Sequence, residues 1–155
     1  MGLQRRTSNG PAALDQHADV ACPPDRPPIP RLPMHKTRVL LVEDEFLIRL
    51  TLCEALAEDG FEVIEASDGI EAMRLLNGVE TFALLLTDVQ LPGGFAGPDI
   101  ARRFRERQGD LPVIFMTGRP EALSGAAANP RDMLIVKPYT PSAICAAARR
   151  LTGAT

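Results

Sequence analysis

A chain of 155 residues, 45% hydrophobic and 24% charged, with a formal net charge of −3, has the length of one domain. Its mild acidity excludes the global electrostatic footprint of a nucleic-acid binder, and no stretch approaches the roughly 20 apolar residues that span a membrane. Cys22, Cys53 and Cys145 are odd in number and lack metal-ligand spacing, so they read as small structural or incidental thiols, not as a disulfide or redox pair.

The first 36 residues differ from the rest. They hold Pro11, Pro23, Pro24, Pro27, Pro28, Pro30 and Pro33, half of all the prolines, and only five Leu, Ile or Val residues. Such a stretch buries too little apolar surface to offset chain entropy, and a disordered tail is expected. Arg5-Arg6 lacks the apolar run of a secretory signal, and Arg6 stands where a myristoylation signal has Ser or Thr; a cytoplasmic protein is expected. Met34 lies just before the first apolar run, so the folded domain can start there; residues 1–33 would then be a gene-start artefact. The expected domain is 37–152, with no output domain after it.

From Thr37 the chain alternates strand and helix five times. Thr37–Val42 is a continuous apolar strand, as expected when both faces are buried. Glu45–Asp59 follows as a helix with Ile48, Leu52, Ala55 and Leu56 along one stripe, and Gly60 stops it. Phe61–Glu65 reads as a second strand, Gly69–Leu76 as a second helix and Phe82–Thr87 as the most apolar strand. Pro98 opens a third helix that buries Ile100, Ala101 and Phe104 and shows Arg102, Arg103, Arg105 and Arg107 as a solvated face. Leu111–Met116 is a fourth strand. The Ala/Gly-rich segment Pro120–Asn129 predicts a short or mobile helix. Met133–Val136 is the last strand, and Thr140-Pro141 caps a final helix with Ile144, Ala147, Ala148 and Leu151 facing inward. Repeated β–α units with short loops require a parallel sheet covered on both faces, an α/β three-layer sandwich.

Polar residues cluster at the ends of these strands. Glu43 and Asp44 end the first apolar run, Asp88 the third, Thr117 the fourth and Lys137 the fifth. Open α/β sheets bind ligands at the carboxyl ends of their strands. Three carboxylates at one sheet edge repel one another unless a cation lies between them. Mg²⁺, a hard dication, suits such oxygen ligands and completes its shell with water and phosphate. An amine and a hydroxyl would then complete a phosphoryl clamp, with Asp88 as the nucleophile.

These residues resemble the receiver domain of two-component response regulators, over about Thr37 to Leu151. Val39–Glu45 resembles its first strand and acidic pair, Asp88 with Pro92 its phosphoacceptor loop, Met116-Thr117-Gly118 its switch hydroxyl, and Val136-Lys137-Pro138-Tyr139 its lysine and following proline. The separations of 44 residues from Asp44 to Asp88, 29 to Thr117 and 20 to Lys137 are close to the family's. The resemblance implies a (βα)5 doubly wound, flavodoxin-like sheet of strand order 2-1-3-4-5, and phosphorylation of Asp88 by a histidine kinase or phosphotransfer protein. It further implies Mg²⁺ held by Asp44 and Asp88, by Glu43 through water and by the backbone carbonyl of Gln90, with Lys137 and Thr117 on the phosphoryl oxygens. A cis Lys137-Pro138 peptide is implied as well. In that resemblance Gln90 and Arg119 would flank the expected path of attacking water.

Two departures stand out. Most receivers carry Tyr or Phe three residues before the lysine, where this chain has Leu134. Leu111–Gly118 is similar to a subgroup with a Phe-Ala-Thr-Gly signature that also lacks this aromatic, although Met116 replaces its Ala. The loop after Asp88 is also one residue longer than common. Activation is therefore expected through ordering of 117–130, not through an aromatic flip. The expected function is a stand-alone receiver in a phosphorelay, with an unknown downstream protein bound around helical segment four, strand five and helical segment five. It would be no enzyme beyond self phosphotransfer and autodephosphorylation, and no DNA or membrane partner is expected. One alternative is an Asp-nucleophile phosphatase of haloacid-dehalogenase type, for which Gln90 stands where a second Asp is wanted. The other is a receiver-like scaffold that works without phosphorylation. His17 and His35 are read as inert.

Overall fold

The computed structural model describes residues 35–123 and 129–154. The Pro-rich tail lies outside them, apart from His35 and Lys36.

Five strands, β1 (Arg38–Val42), β2 (Glu62–Ala66), β3 (Leu84–Asp88), β4 (Val113–Thr117) and β5 (Asp132–Val136), form one sheet in the order β2-β1-β3-β4-β5. All four pairings are parallel. Helices α1 (Phe46–Glu58), α2 (Gly69–Leu76), α3 (Gly97–Gln108) and α4 (Pro141–Thr152) cover the two faces.

Side-chain alternation along each strand sorts the core into two layers. Val39, Leu41, Leu84, Leu86, Ile114 and Met116 pack with Leu52 and Leu56 of α1 and Ile144 and Ala148 of α4. Leu40, Val42, Leu85, Val113 and Phe115 pack with Ala72 and Leu76 of α2 and Ile100 and Phe104 of α3. The central strands therefore read as unbroken apolar runs, because neither face meets water.

The helix ends follow local chemistry. Asp68 accepts a hydrogen bond from the Glu71 amide at 2.8 Å, and Glu71 accepts one from the Ser67 amide at 2.7 Å, a reciprocal cap on α2. Thr140 caps α4 through the Ala143 amide, as its sequence indicates. Gly60 takes a φ of +96° after α1, a conformation that stops the helix at little cost to glycine alone.

Two expectations need correction, and a third is met in its described part. β3 begins two residues later than the apolar run and extends to Asp88, since Asp88 is in register with Met116 of β4. β4 starts at Val113 because Pro112 has no amide to give to the ladder. Of the short or mobile helix expected over Pro120–Asn129, the described part is a single 3₁₀ turn at Pro120–Leu123, and residues 124–128 lie outside the described residues.

The arginines of α3 are also not a uniform solvated face. Arg105 is only 20% exposed; it pairs with Asp132 at the start of β5 and donates to the Leu111 carbonyl. Arg103 donates to Asn77 and Arg107 to the Gly78 carbonyl, which ties α3 to the end of α2. Arg102, which among the described residues has salt bridges to Asp99 and Glu106 of its own helix, keeps the expected exposed position.

Candidate functional site

Register brings the polar strand ends together. Val42 is level with Thr87, which sets Glu43 beside Asp88; Asp88 is level with Met116, and Thr117 with Val136. By alternation Glu43, Asp88 and Lys137 all continue the residues that face α1 and α4, while Thr117 continues the opposite row. The three charged groups therefore point to one side of the sheet edge.

Lys137 Nζ lies 2.6 Å from Asp88 Oδ2 and 3.7 Å from Glu43 Oε2. The other Asp88 oxygen, Oδ1, accepts the Gln90 amide at 3.0 Å. Glu43 Oε1 accepts the Glu45 amide at 3.0 Å, and Arg49 Nη1 donates to the Glu43 carbonyl at 2.8 Å. Thr117 closes a tight turn with Arg119, accepting its amide at 2.9 Å. The Lys137-Pro138 peptide is cis, and the Lys137 amide donates to the Thr117 carbonyl at 2.8 Å. Glu43, Asp44, Asp88, Thr117 and Lys137 thus meet at one edge, and Gln90 joins them through its backbone.

Carboxylate oxygens of Glu43, Asp44 and Asp88 lie within 4.8 Å of one another. Glu43 and Asp88 are buried and Asp44 is exposed, so the cluster opens to solvent on one side. Glu43 Oε2 is sealed from water without a hydrogen-bond partner among the described residues. A buried carboxylate oxygen left unpartnered is costly, and the donor set, all hard oxygens, fits a small divalent cation.

Burial pushes the Glu43 carboxyl above its ordinary range; the Glu45 amide and Lys137 offset this in part, and Asp88 and Asp44 reinforce it. For Lys137, burial opposes the charged form, but the Asp88 hydrogen bond and the charges of Glu43 and Asp88 outweigh it, and its pKa is raised. The Tyr139 phenol is pushed up to about 12, mostly by burial and next by Glu43.

The sequence left three contributors unread. Arg49 also reaches Glu65 at 3.5 Å and so straps the acidic loop to β2; its position one turn into α1 was the available signal. At Gly97 an added Cβ would fall 2.3 Å from the Asp88 carbonyl oxygen, so only glycine allows α3 to start against the acid loop. Gly97-Pro98 pointed to a helix start but not to this contact. Tyr139 lies two residues beyond Lys137 with its hydroxyl buried and unpartnered.

Comparison with known proteins agrees with this fold. The response regulator receiver domain family matches residues 39–149. A response regulator receiver protein from Anaeromyxobacter sp. strain Fw109-5 is 38% identical over 110 residues, covering 71% of this chain and 43% of the relative. Among solved structures, a response regulator receiver protein from Sinorhizobium medicae WSM419 aligns with a TM-score of 0.72 at 23% identity, covering 77% of this chain and 97% of that one. The receiver domain of sensor histidine kinase PA1611 from Pseudomonas aeruginosa PAO1 aligns with a TM-score of 0.65 at 25% identity, covering 77% and 99%, and has a magnesium ion coordinated in its active-site cleft.

A flavodoxin-like sheet of order 2-1-3-4-5 with acids, a hydroxyl and a lysine at its carboxyl edge is the architecture of a signalling receiver. The chain belongs to the response regulator receiver domain family. It spans about half the length of the curated relatives it matches. Among the described residues no helix is long and apolar enough to cross a membrane.

Proposed function

We propose that this receiver takes a phosphoryl group on Asp88 from the phosphohistidine of a sensor kinase or phosphotransfer protein and signals by phosphorylation-dependent binding of a downstream protein. The carrying observation is Asp88 Oδ2 at the end of a buried central strand, 2.6 Å from the Lys137 ammonium and within a three-carboxylate cluster. Residues 37–152 constitute the receiver in this reading, and the kinase-facing chemistry takes place in the cytoplasm.

Asp44 and Asp88 would hold Mg²⁺ directly, Glu43 through water and Gln90 through its carbonyl. When bound, the ion neutralises charge on the phosphoryl oxygens. The remaining work belongs to the chain. An Asp88 carboxylate oxygen attacks phosphorus as the nitrogen–phosphorus bond breaks, and the imidazole leaves and takes up a proton. Lys137 pairs with a phosphoryl oxygen, and the Thr117 hydroxyl turns from Arg119 to donate to another. Attack by water later returns the free carboxylate and inorganic phosphate, a self-limited turnover.

Incubation with Mg²⁺ and acetyl phosphate tests the reading. A stoichiometric acyl phosphate, absent from Asp88→Asn and shown by intact mass, is the expected outcome. A label that survives Asp88→Asn defeats the site assignment, and multiple turnovers of a phosphoester indicate an Asp-nucleophile phosphatase instead.

A further inference from the structure

Arg49 lies one turn into α1, near the positive end of the helix dipole, where a cation is disfavoured. Three contacts hold it there. Nη1 donates to the Glu43 carbonyl at 2.8 Å, Nε lies 3.5 Å from Glu65 Oε1, and the guanidinium carbon sits 5.6 Å from the centre of the Phe46 ring. The side chain is only 16% exposed, so water screens these contacts less than those of a surface pair.

Both anchors of the acidic loop lead to consecutive residues of β2. The Glu43 amide donates to the Ala66 carbonyl at 3.1 Å, and the Glu43 carbonyl is tied through Arg49 to Glu65. The peptide between Glu43 and Asp44 is thereby fixed. Asp44 depends on that peptide most. Glu43 and Asp88 are buried whereas Asp44 is exposed, so its carboxylate is aimed by its backbone and not by packing. It stays with two other carboxylates, all within 4.8 Å of one another, although like charges drive them apart.

We propose that Arg49 is a positioning residue for the divalent cation of the acidic edge: bridging the Glu43 carbonyl and the Glu65 carboxylate, its guanidinium sets the peptide that aims Asp44. The inference rests on the reading above in which Asp44 and Asp88 hold Mg²⁺, and deepens it.

Two plainer roles would leave different marks. A guanidinium that only offsets the charge of the acids repels a dication, so its removal would strengthen Mg²⁺ binding. One that only packs α1 onto the sheet would change stability and leave cation affinity alone. A positioning residue weakens binding when it is removed, against the Coulombic sign.

The test titrates the full chain, Arg49→Met and Arg49→Lys with magnesium chloride, following the backbone amide shifts of Asp44, Asp88 and Gln90. The Tm of each in Mg²⁺-free buffer is recorded beside it. Arg49→Met should bind Mg²⁺ about tenfold more weakly than wild type. Arg49→Lys keeps the charge but donates from a single point, so it cannot span Glu43 and Glu65 and should lose most of the same affinity. An affinity unchanged or raised in Arg49→Met overturns the inference, whatever its Tm, while the proposed function stands. Wild-type affinity in Arg49→Lys overturns it too, since charge alone then suffices. Should Arg49→Met fail to fold, Arg49→Lys decides by the same comparison. If wild type itself binds no Mg²⁺, the proposed metal site falls and the inference falls with it.

Discussion

β3 and β5 are equal in length and both lead into the site, but they hold their functional ends differently. All five residues of β3, from Leu84 to Asp88, are buried, with strands on both sides and helices on both faces. β5 is an edge strand in which Leu134 is 41% and Val136 47% exposed. Asp88 is therefore fixed by the most constrained strand, whereas Lys137 continues from one that is packed on one face. Asp88 sits on a fully buried strand, and the lysine that pairs with it follows a half-exposed one.

Removing packing from each strand should give the widest contrast. Leu86→Ala, at the centre of β3, should cost about 3–4 kcal/mol in urea unfolding, since it empties a fully buried site. A loss under 1 kcal/mol there would mean that β3 is not the more tightly packed partner. Next in size is Gly97→Ala, which forces a methyl against the Asp88 carbonyl and should cost about 2 kcal/mol. It should also slow acetyl phosphate labelling more than an alanine at exposed Gly94 changes it.

Lys137→Ala tests the half-exposed side of the contrast. At neutral pH it leaves Glu43 and Asp88 facing each other without their cation and should cost about 1–2 kcal/mol in Mg²⁺-free buffer. The pH profile has a defined sign. The Lys137 pKa is raised in the fold, so its contribution is complete below the ordinary 10.5 and is lost as pH climbs through the raised folded value. The gap between wild type and Lys137→Ala should therefore close above pH 10.5. It should narrow on the acid side too, where Glu43, whose carboxyl is raised above the usual 4.5, becomes neutral and ceases to be a partner. A gap that does not vary with pH would remove the ion pairs as its cause. The smallest effect belongs to Leu134→Ala, which should cost less than about 1 kcal/mol because that side chain is already partly in water.

The same contrast marks where the sequence could be read. β1, β3 and β4 announced themselves as unbroken apolar runs because each is buried on two faces, and Glu43, Asp44, Asp88 and Thr117 stood at their ends, with Lys137 at the end of β5. Met133–Val136 looked equally buried, yet half of it is exposed. Edge position depends on strand order, and strand order is fixed by crossovers and not by the strand's own residues. Arg105 was misread for a related reason. Its partner Asp132 lies 27 residues away, beyond any helical periodicity. Pro120–Asn129, rich in Ala and Gly, carried weak signals, and its described part is a single 3₁₀ turn. The contact of Gly97 with Asp88 and the orphan hydroxyl of Tyr139 are products of tertiary packing, with no periodic trace.

The strand order also places the acids on inner strands and their lysine at the end of an edge strand, late in the chain. β1 can pair with β2 soon after both leave the ribosome, and β3 then adds to its other edge. At that stage Glu43 and Asp88 are already side by side, yet Lys137 has not been synthesised. If strands dock in chain order, the acids meet before their lysine arrives, and their mutual repulsion would slow closure of the sheet. Refolding of the complete chain should accordingly run faster as divalent cation is added, with an acceleration that shrinks in Asp88→Asn.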